Sequence, residues 1–164
     1  MRTILVGLLR DVSARVNVVN AFLIAEERGI TVNTSYRRGA GELVPSIQTR
    51  VVAGTADERI SGTIFGHANG RHGRITEING FRIEAIPQGH MLVMHNRDVP
   101  GVIGRVGTIL GEGGINISAF HLGRRERGGE AMALIELDAP VPNETLQTLL
   151  SSEGILSVRQ VKLY

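Results

Sequence analysis

The apolar positions of this chain change period several times, and each change marks an element. Ile4, Leu5, Leu8, Leu9 and Val12 recur at three and four residues, which predicts a helix with one apolar face. A second helix is expected over residues 18–28, with Asn17 as N-cap and Gly29 as a left-handed stop. From Ile30 the period falls to two. Residues 30–37 read as a strand with Val32, Thr34 and Tyr36 on one side. Residues 46–52 and 59–65 flank the turn-rich Gly54-Thr55-Ala56-Asp57 and read as a hairpin. Residues 74–78 and 81–86 are joined by Asn79-Gly80, which accepts positive φ at both positions and predicts a type I′ turn.

Pro87-Gln88-Gly89 breaks this pattern, so a domain boundary is expected there, giving domains 1–88 and 89–164. The run 91–94 is wholly apolar, as in a central strand. Pro100 is expected at the first helical position, with Asp98 beside the helix N-terminus. Val102, Ile103, Val106, Ile109 and Leu110 form one stripe, ended by Gly113-Gly114. Residues 115–122 alternate as a strand, and 130–137 follow through the polar hairpin 124–129. Leu146, Leu149 and Leu150 mark a helix, and 155–163 the last strand. The fold class is therefore α+β: two helices and an antiparallel sheet, then a ferredoxin-like βαββαβ sandwich. Right-handed crossovers place its first and third strands centrally. Strand 115–122 is then an edge, and Phe120, Leu122, Met132 and Leu134 are expected on the helix-free face. An unpaired edge beside an apolar face predicts a dimer through this domain.

Composition narrows the function. The 164 residues suit one large domain or two small ones. Aromatics are only 4% and Trp is absent, so a small-molecule site must be built from backbone, aliphatic and polar groups. There is no cysteine, which excludes disulfides and fits a reducing compartment. The sequence pI is about 9.7, but the net charge is only +2 with acids interspersed, which argues against a nucleic-acid partner. The apolar stretch 3–9 ends at Arg10-Asp11 without a cleavage site, and no run approaches the ~18 apolar residues of a membrane span. A soluble, cytoplasmic chain is expected.

Candidate chemistry gathers at one loop. The N–H groups of Gly101 and Val102, at a helix start after Pro100, suit a carboxylate. Asp98 suits an ammonium, or a helix cap. Asn116 offers a donor and an acceptor to a ligand, or satisfies a turn. Arg74 and Arg82, beside the basic loop 67–74, either share an anion across adjacent strands or form a solvated basic hairpin. His67 and His72 share that loop without an acid or thiol at ligand spacing, so no metal site is expected. His95 reads as a packed histidine, and no nucleophile–base arrangement is evident.

The stretch His95-Asn96-Arg97-Asp98-Val99-Pro100-Gly101-Val102-Ile103-Gly104, continued by Gly113-Gly114-Ile115-Asn116-Ile117, resembles the effector-binding end of an ACT domain. It is most similar to the one closing D-3-phosphoglycerate dehydrogenases. Val18, Asn20-Ala21, Ala25-Glu26-Glu27-Arg28-Gly29, Ser61-Gly62-Thr63-Ile64-Phe65-Gly66 and Ile78-Asn79-Gly80 resemble the intervening regulatory domain of that enzyme's long form. The resemblance implies the regulatory region of an enzyme of serine biosynthesis. It also implies an amino-acid effector, usually L-serine, at the junction of two ACT domains, and a homo-oligomer that is at least a dimer. The effector contacts carried over are Asn96, Asp98, Pro100, Gly101 and Val102 from one subunit, facing Asn116 of the other. It further implies anion binding on basic residues of the intervening domain.

The family's NAD-binding glycine motif and Arg-Glu-His set are not recognisable. Gly104-Arg105-Val106-Gly107 is too short and lies in a helix pattern, not after a strand. The chain is thus expected not to be an enzyme on its own and to hold no cofactor, NAD belonging to a catalytic part. The opening of the intervening domain is also expected to be missing, as in a fragment or a free-standing amino-acid-sensing regulator. A purely structural oligomerisation module is the alternative.

Overall fold

A computed structural model describes residues 1–36, 46–65 and 72–163. The chain divides into two compact units, Met1–Leu43 and Val44–Tyr164.

The first unit holds α1 (Arg2–Leu9) and α2 (Ala21–Glu27). Leu5, Leu9, Ala21 and Ala25 form its buried core, with Val6, Val16, Ile24 and Val32 packed against it. Two expectations change here. Helix α2 starts three residues later than the pattern predicts, because the Asn17 side chain is used elsewhere. Its Oδ1 accepts from the N–H groups of Val19 (2.9 Å) and Asn20 (3.2 Å), which holds a turn ahead of the helix. Gly29 ends α2 at φ +71°, as expected. Residues 30–36 form no strand: Val32 joins the helix core while Tyr36 is 91% exposed. Alternation alone is insufficient without a partner to complete the ladder.

The second unit opens with an antiparallel meander, β1 (Ser46–Ala53), β2 (Ala56–Phe65), β3 (His72–Ile78) and β4 (Phe81–Ala85), in that spatial order. The β1–β2 turn is tighter than the sequence suggested: Ala53 pairs with Ala56, and Gly54 takes φ +60°. The β3–β4 turn has φ +50° at Asn79 and +84° at Gly80, as type I′ requires.

The βαββαβ order follows, with β5 (Gly89–Arg97), α3 (Val102–Glu112), β6 (Ile117–Arg124), β7 (Glu130–Leu137), α4 (Asn143–Ser151) and β8 (Ile155–Leu163). The spatial order β6-β7-β5-β8 puts the first and third strands of the motif in the middle. Leu92, Met94, Ile135 and Val158 of the sheet bury against Val106 and Leu110 of α3 and Leu149 of α4. Ile103 leaves the expected stripe and is 48% exposed.

The helix-free face differs from expectation. Only Met132 and Leu134 of the four apolar residues lie there, and they are buried under Phe81, Ile83 and Ala85 of β4. Phe120 packs into the helix-side core. Pairing sets Phe120 opposite Ile135 and Leu122 opposite Ala133, so both point to the helix side. The meander therefore covers the face that the sequence left open. Gly123 permits the close approach: a Cβ there would run into the Arg82 carbonyl and lie 2.7 Å from Ile83 Cγ1.

Candidate functional site

The loop between β5 and α3 is held by charge and backbone bonds rather than by a cap. The N–H of Asp98 donates to the Gly129 carbonyl at 2.9 Å. Asp98 Oδ2 accepts from Arg124 Nη1 at 2.9 Å and from the Gly128 N–H at 3.2 Å. The Arg124 guanidinium, then the Gly128 N–H, hold the Asp98 carboxyl below the usual carboxylate range. Both bonds end on Oδ2.

Pro100 precedes the helix instead of opening it, because Gly101 is the N-cap and takes φ +90°. No atom lies within 4 Å of a Cβ built at Gly101. The left-handed backbone, not a close approach, is thus what favours glycine there. The first intrahelical bond runs from the Arg105 N–H to the Gly101 carbonyl at 2.9 Å. The N–H groups of Val102, Ile103 and Gly104 precede it and form the positive end of α3. Beside this end of the helix lies an open cavity of about 400 Å³ lined by Asp98, Val99, Pro100, Gly101 and Ile103 from the loop side and Arg124, Arg127 and Gly128 from the β6–β7 hairpin. The sequence reading missed Arg124 and Arg127. Their signal was a basic hairpin, Arg124-Arg125-Glu126-Arg127, whose position above the loop is set only by the β6–β7 register.

The remaining predicted residues sit apart from this cavity. Asn96, at the end of β5, is buried at 2% exposure, and its Nδ2 donates to the Arg97 carbonyl at 2.8 Å. Its Oδ1 has no hydrogen-bond partner. Val102 is buried at the foot of α3, so only its backbone faces the site. Asn116 lies just before β6 rather than within it, and donates to Asp138 Oδ2 at 2.6 Å. Strand β6 separates Asn116 from Arg124, roughly 25 Å at about 3.3 Å per residue. Asn116 and Asp98 of one chain therefore occupy opposite ends of the sheet.

Arg74 and Arg82 lie on adjacent strands but do not face each other. An irregularity between Ile75 and Glu77 sets Arg82 opposite Glu77, while Arg74 Nη1 lies 4.0 Å from Glu84. Arg74 also stacks on Phe65 at 5.7 Å. Glu84 near the Arg74 guanidinium and Glu77 opposite Arg82 in the ladder favour the solvated hairpin over a shared anion. His67 and the rest of the basic loop up to residue 71 lie outside the described residues.

The hairpin that closes the cavity also grips the meander. Arg125 donates to the Asn79 carbonyl and stacks on the Phe81 ring at 4.5 Å. Neighbouring arginines of one turn thus hold the loop at Asp98 and the tip of the β3–β4 hairpin. Farther along the same sheet face, His121 Nε2 lies 3.0 Å from Glu136, and His95 Nε2 lies 3.1 Å from Glu130.

No helix among the described residues is long and apolar enough to cross a membrane. Residues 1–79 match the D-3-phosphoglycerate dehydrogenase intervening domain, and residues 90–154 match the ACT domain. The D-3-phosphoglycerate dehydrogenase of Bacillus subtilis is 34% identical over 163 residues, which cover 99% of this chain and 30% of the relative. The enzyme of that name from Archaeoglobus fulgidus is 32% identical, over 99% of this chain and 31% of the relative. That from Methanocaldococcus jannaschii is 34% identical, again over 99% and 30%. The chain spans less than a third of the length of these relatives. The chain thus matches, in order, a D-3-phosphoglycerate dehydrogenase intervening-domain segment and an ACT domain, and is similar over nearly its whole length to part of the enzymes of that name.

Proposed function

We propose that this chain senses an amino acid at the mouth of α3, in a junction between two copies of the ACT domain, and regulates an NAD-dependent D-3-phosphoglycerate dehydrogenase in the cytoplasm. L-serine is the ligand that the resemblance points to. The family matches at residues 1–79 and 90–154 support the division into an intervening segment, 1–88, and an ACT domain, 89–164.

The observation that carries the reading is that Asp98 and the residues that open α3, Gly101 and Ile103, line one cavity. An α-amino acid presents an ammonium and a carboxylate a few ångströms apart, and these two features are their complements. Asn116 lies too far away to serve the same cavity in its own chain. A second copy is what brings one in, along the edge strand β6. The covered helix-free face no longer supports dimerisation, so the case for a dimer rests on this edge and on the divided site.

A route for regulation is present in the same hairpin. Ligand at Asp98 changes what Arg124 and Gly128 hold, and Arg125 carries the change to Asn79 and Phe81 of the meander. Such coupling requires a ligand that binds two arrangements with different affinity.

Calorimetric titration with L-serine, with glycine and L-alanine as controls, tests the reading. Saturable binding is expected, lost in Asp98→Ala and in Asn116→Ala, with a dimer in sedimentation. A folded dimer that binds no amino acid would leave a structural oligomerisation module instead.

A further inference from the structure

We infer that the outer edge of β1 is a second association surface, which pairs antiparallel with the β1 edge of another copy of this chain about a two-fold axis at Thr49. The contact is separate from the ACT junction proposed above, which uses the β6 edge.

The sheet edges differ in how they are protected. An edge strand presents unpaired N–H and C=O groups, and charge, proline, bulges or a cover blunt it. Strand β4 is covered, since Phe81, Ile83 and Ala85 pack on Met91, Met132 and Leu134. Strand β8 carries Arg159 and Lys162, and its register with β5 shifts between His95 and Asn96. Strand β1 has none of these devices. It runs for eight residues, contains no proline or lysine, and pairs with β2 in unbroken register. No strand among the described residues lies on its outer side. Its single charge is Arg50, whose guanidinium is held by Asp57 of β2 at 2.7 and 2.8 Å.

The pattern of β1 decides what fits it. Alternation puts Ile47, Thr49 and Val51 on one face with Ile60, and Ser46, Gln48, Arg50 and Val52 on the other. Ile47 is 61% and Ile60 42% exposed, so the first face is apolar and open. An odd offset between two copies would join the apolar face of one to the charged face of the other. Of the registers that keep like faces together, an axis at Gln48 pairs only residues 46–50 with their copies. An axis at Arg50 pairs residues 47–53 but sets Arg50 against Arg50, and like charges directly opposite are destabilising. An axis at Thr49 pairs residues 46–52, with Ile47 opposite Val51 and Arg50 opposite the uncharged Gln48. The apolar positions 47 and 51 and the polar positions 48 and 50 are thus symmetric about residue 49. That self-complementarity is what a two-fold contact between identical chains requires, and it points to a second copy as the partner.

The chain contains no cysteine, so single cysteines report the contact directly. Under the Thr49 axis the two Thr49 Cα atoms lie about 4.5–5.5 Å apart, within disulfide reach. Thr49→Cys, oxidised in air with copper–phenanthroline, is expected to give a covalent dimer. Val52 is well exposed, at 61%. It would lie roughly 20 Å from its copy, at about 3.3 Å per residue, so Val52→Cys should remain single chains. Thr49→Arg and Thr49→Glu, each alone, should halve the molar mass measured by light scattering at equal concentration. An equimolar mixture of the two should restore it.

The step is twofold whether or not the ACT domains pair, so failure of the ACT junction leaves this test readable. Absence of a covalent dimer from Thr49→Cys, or one from Val52→Cys formed as fast, would overturn the inference. So would charge variants that keep the full mass, or a mixture that does not regain it.

Discussion

The two faces of the β6-β7-β5-β8 sheet are covered in different ways. On one face, α3 and α4 lie over Leu92, Met94, Ile135 and Val158 and form a continuous aliphatic core. Both helices are connected to the strands beneath them by short links. On the other face, one hairpin of the meander covers Met91, Met132 and Leu134 with Phe81, Ile83 and Ala85. Around that smaller core are polar and charged contacts: Arg125 on Asn79 and Phe81, and the pairs His95–Glu130 and His121–Glu136. The helix face owes its stability to apolar area, which tolerates little rearrangement. The hairpin face combines a modest core with contacts that can exchange partners. It also meets the same β6–β7 turn that closes the ligand cavity, so a regulatory signal has a path through the second face and not the first.

The largest expected effect comes from emptying the smaller core. Phe81→Ala should cost about 3–5 kcal/mol, read from denaturant midpoints. Amides of residues 72–85 should then exchange early while those of α3 and α4 stay protected. Loss of protection on both faces together would show that the two covers form one cooperative unit. Gly123→Ala should come next, at about 1–3 kcal/mol or above for a contact forced between packed backbones. Its effect should be strongest on the hairpin side, because the atoms nearest the added methyl belong to Arg82 and Ile83.

Arg125→Ala should lower stability by only about 1 kcal/mol, the scale of an exposed cation–π contact and one hydrogen bond. Its informative readout is coupling. If the turn links cavity and meander, ligand should no longer change exchange at residues 79–83 in that variant, although it still binds.

The smallest effect concerns pH. Asp98 and Asp57 both have carboxyls held below the ordinary range, Asp98 by Arg124 and then Gly128, Asp57 by Arg50 and then Arg59. A depressed folded-state pKa gives stability that is present above the unfolded value of about 3.9 and lost as pH falls through the folded one. Melting temperatures should therefore fall on acidification below about pH 4. Asp98→Asn should flatten part of that limb by slightly lowering the melting temperature at neutral pH while leaving it unchanged at low pH. An unchanged acid limb would mean that solvent screens the Arg124 pair.

Much of the second unit was legible in its residues. Strands β7 and β8 fall where the alternation puts them, and Asn79-Gly80 forms the turn its backbone freedom demands. The central position of β5 and β7 follows from the handedness of the crossovers. The misses have a common cause. Residues 30–36 alternate like a strand but have no ladder partner, and Asn17 caps a turn because a nearby N–H competes for it. Phe120 and Leu122 were assigned to the wrong face because a β-bulge near Ile117–Ala119 shifts the register, which a period of two cannot register.

For the candidate site, the sequence determined the local parts: a glycine between Pro100 and an apolar helix stripe, an acid two residues before Pro100, and an asparagine after a double glycine. These are properties of neighbouring residues, and backbone stereochemistry or helix periodicity is enough to read them. Tertiary structure alone decided what surrounds them. Arg124 reaches Asp98 across 26 residues, Arg127 joins the cavity from the same turn, and the meander rather than a partner covers the helix-free face. Those outcomes depend on strand register and on which sheet face is left to be covered. Both are settled by packing between segments far apart in the chain, where pattern along the sequence carries no information.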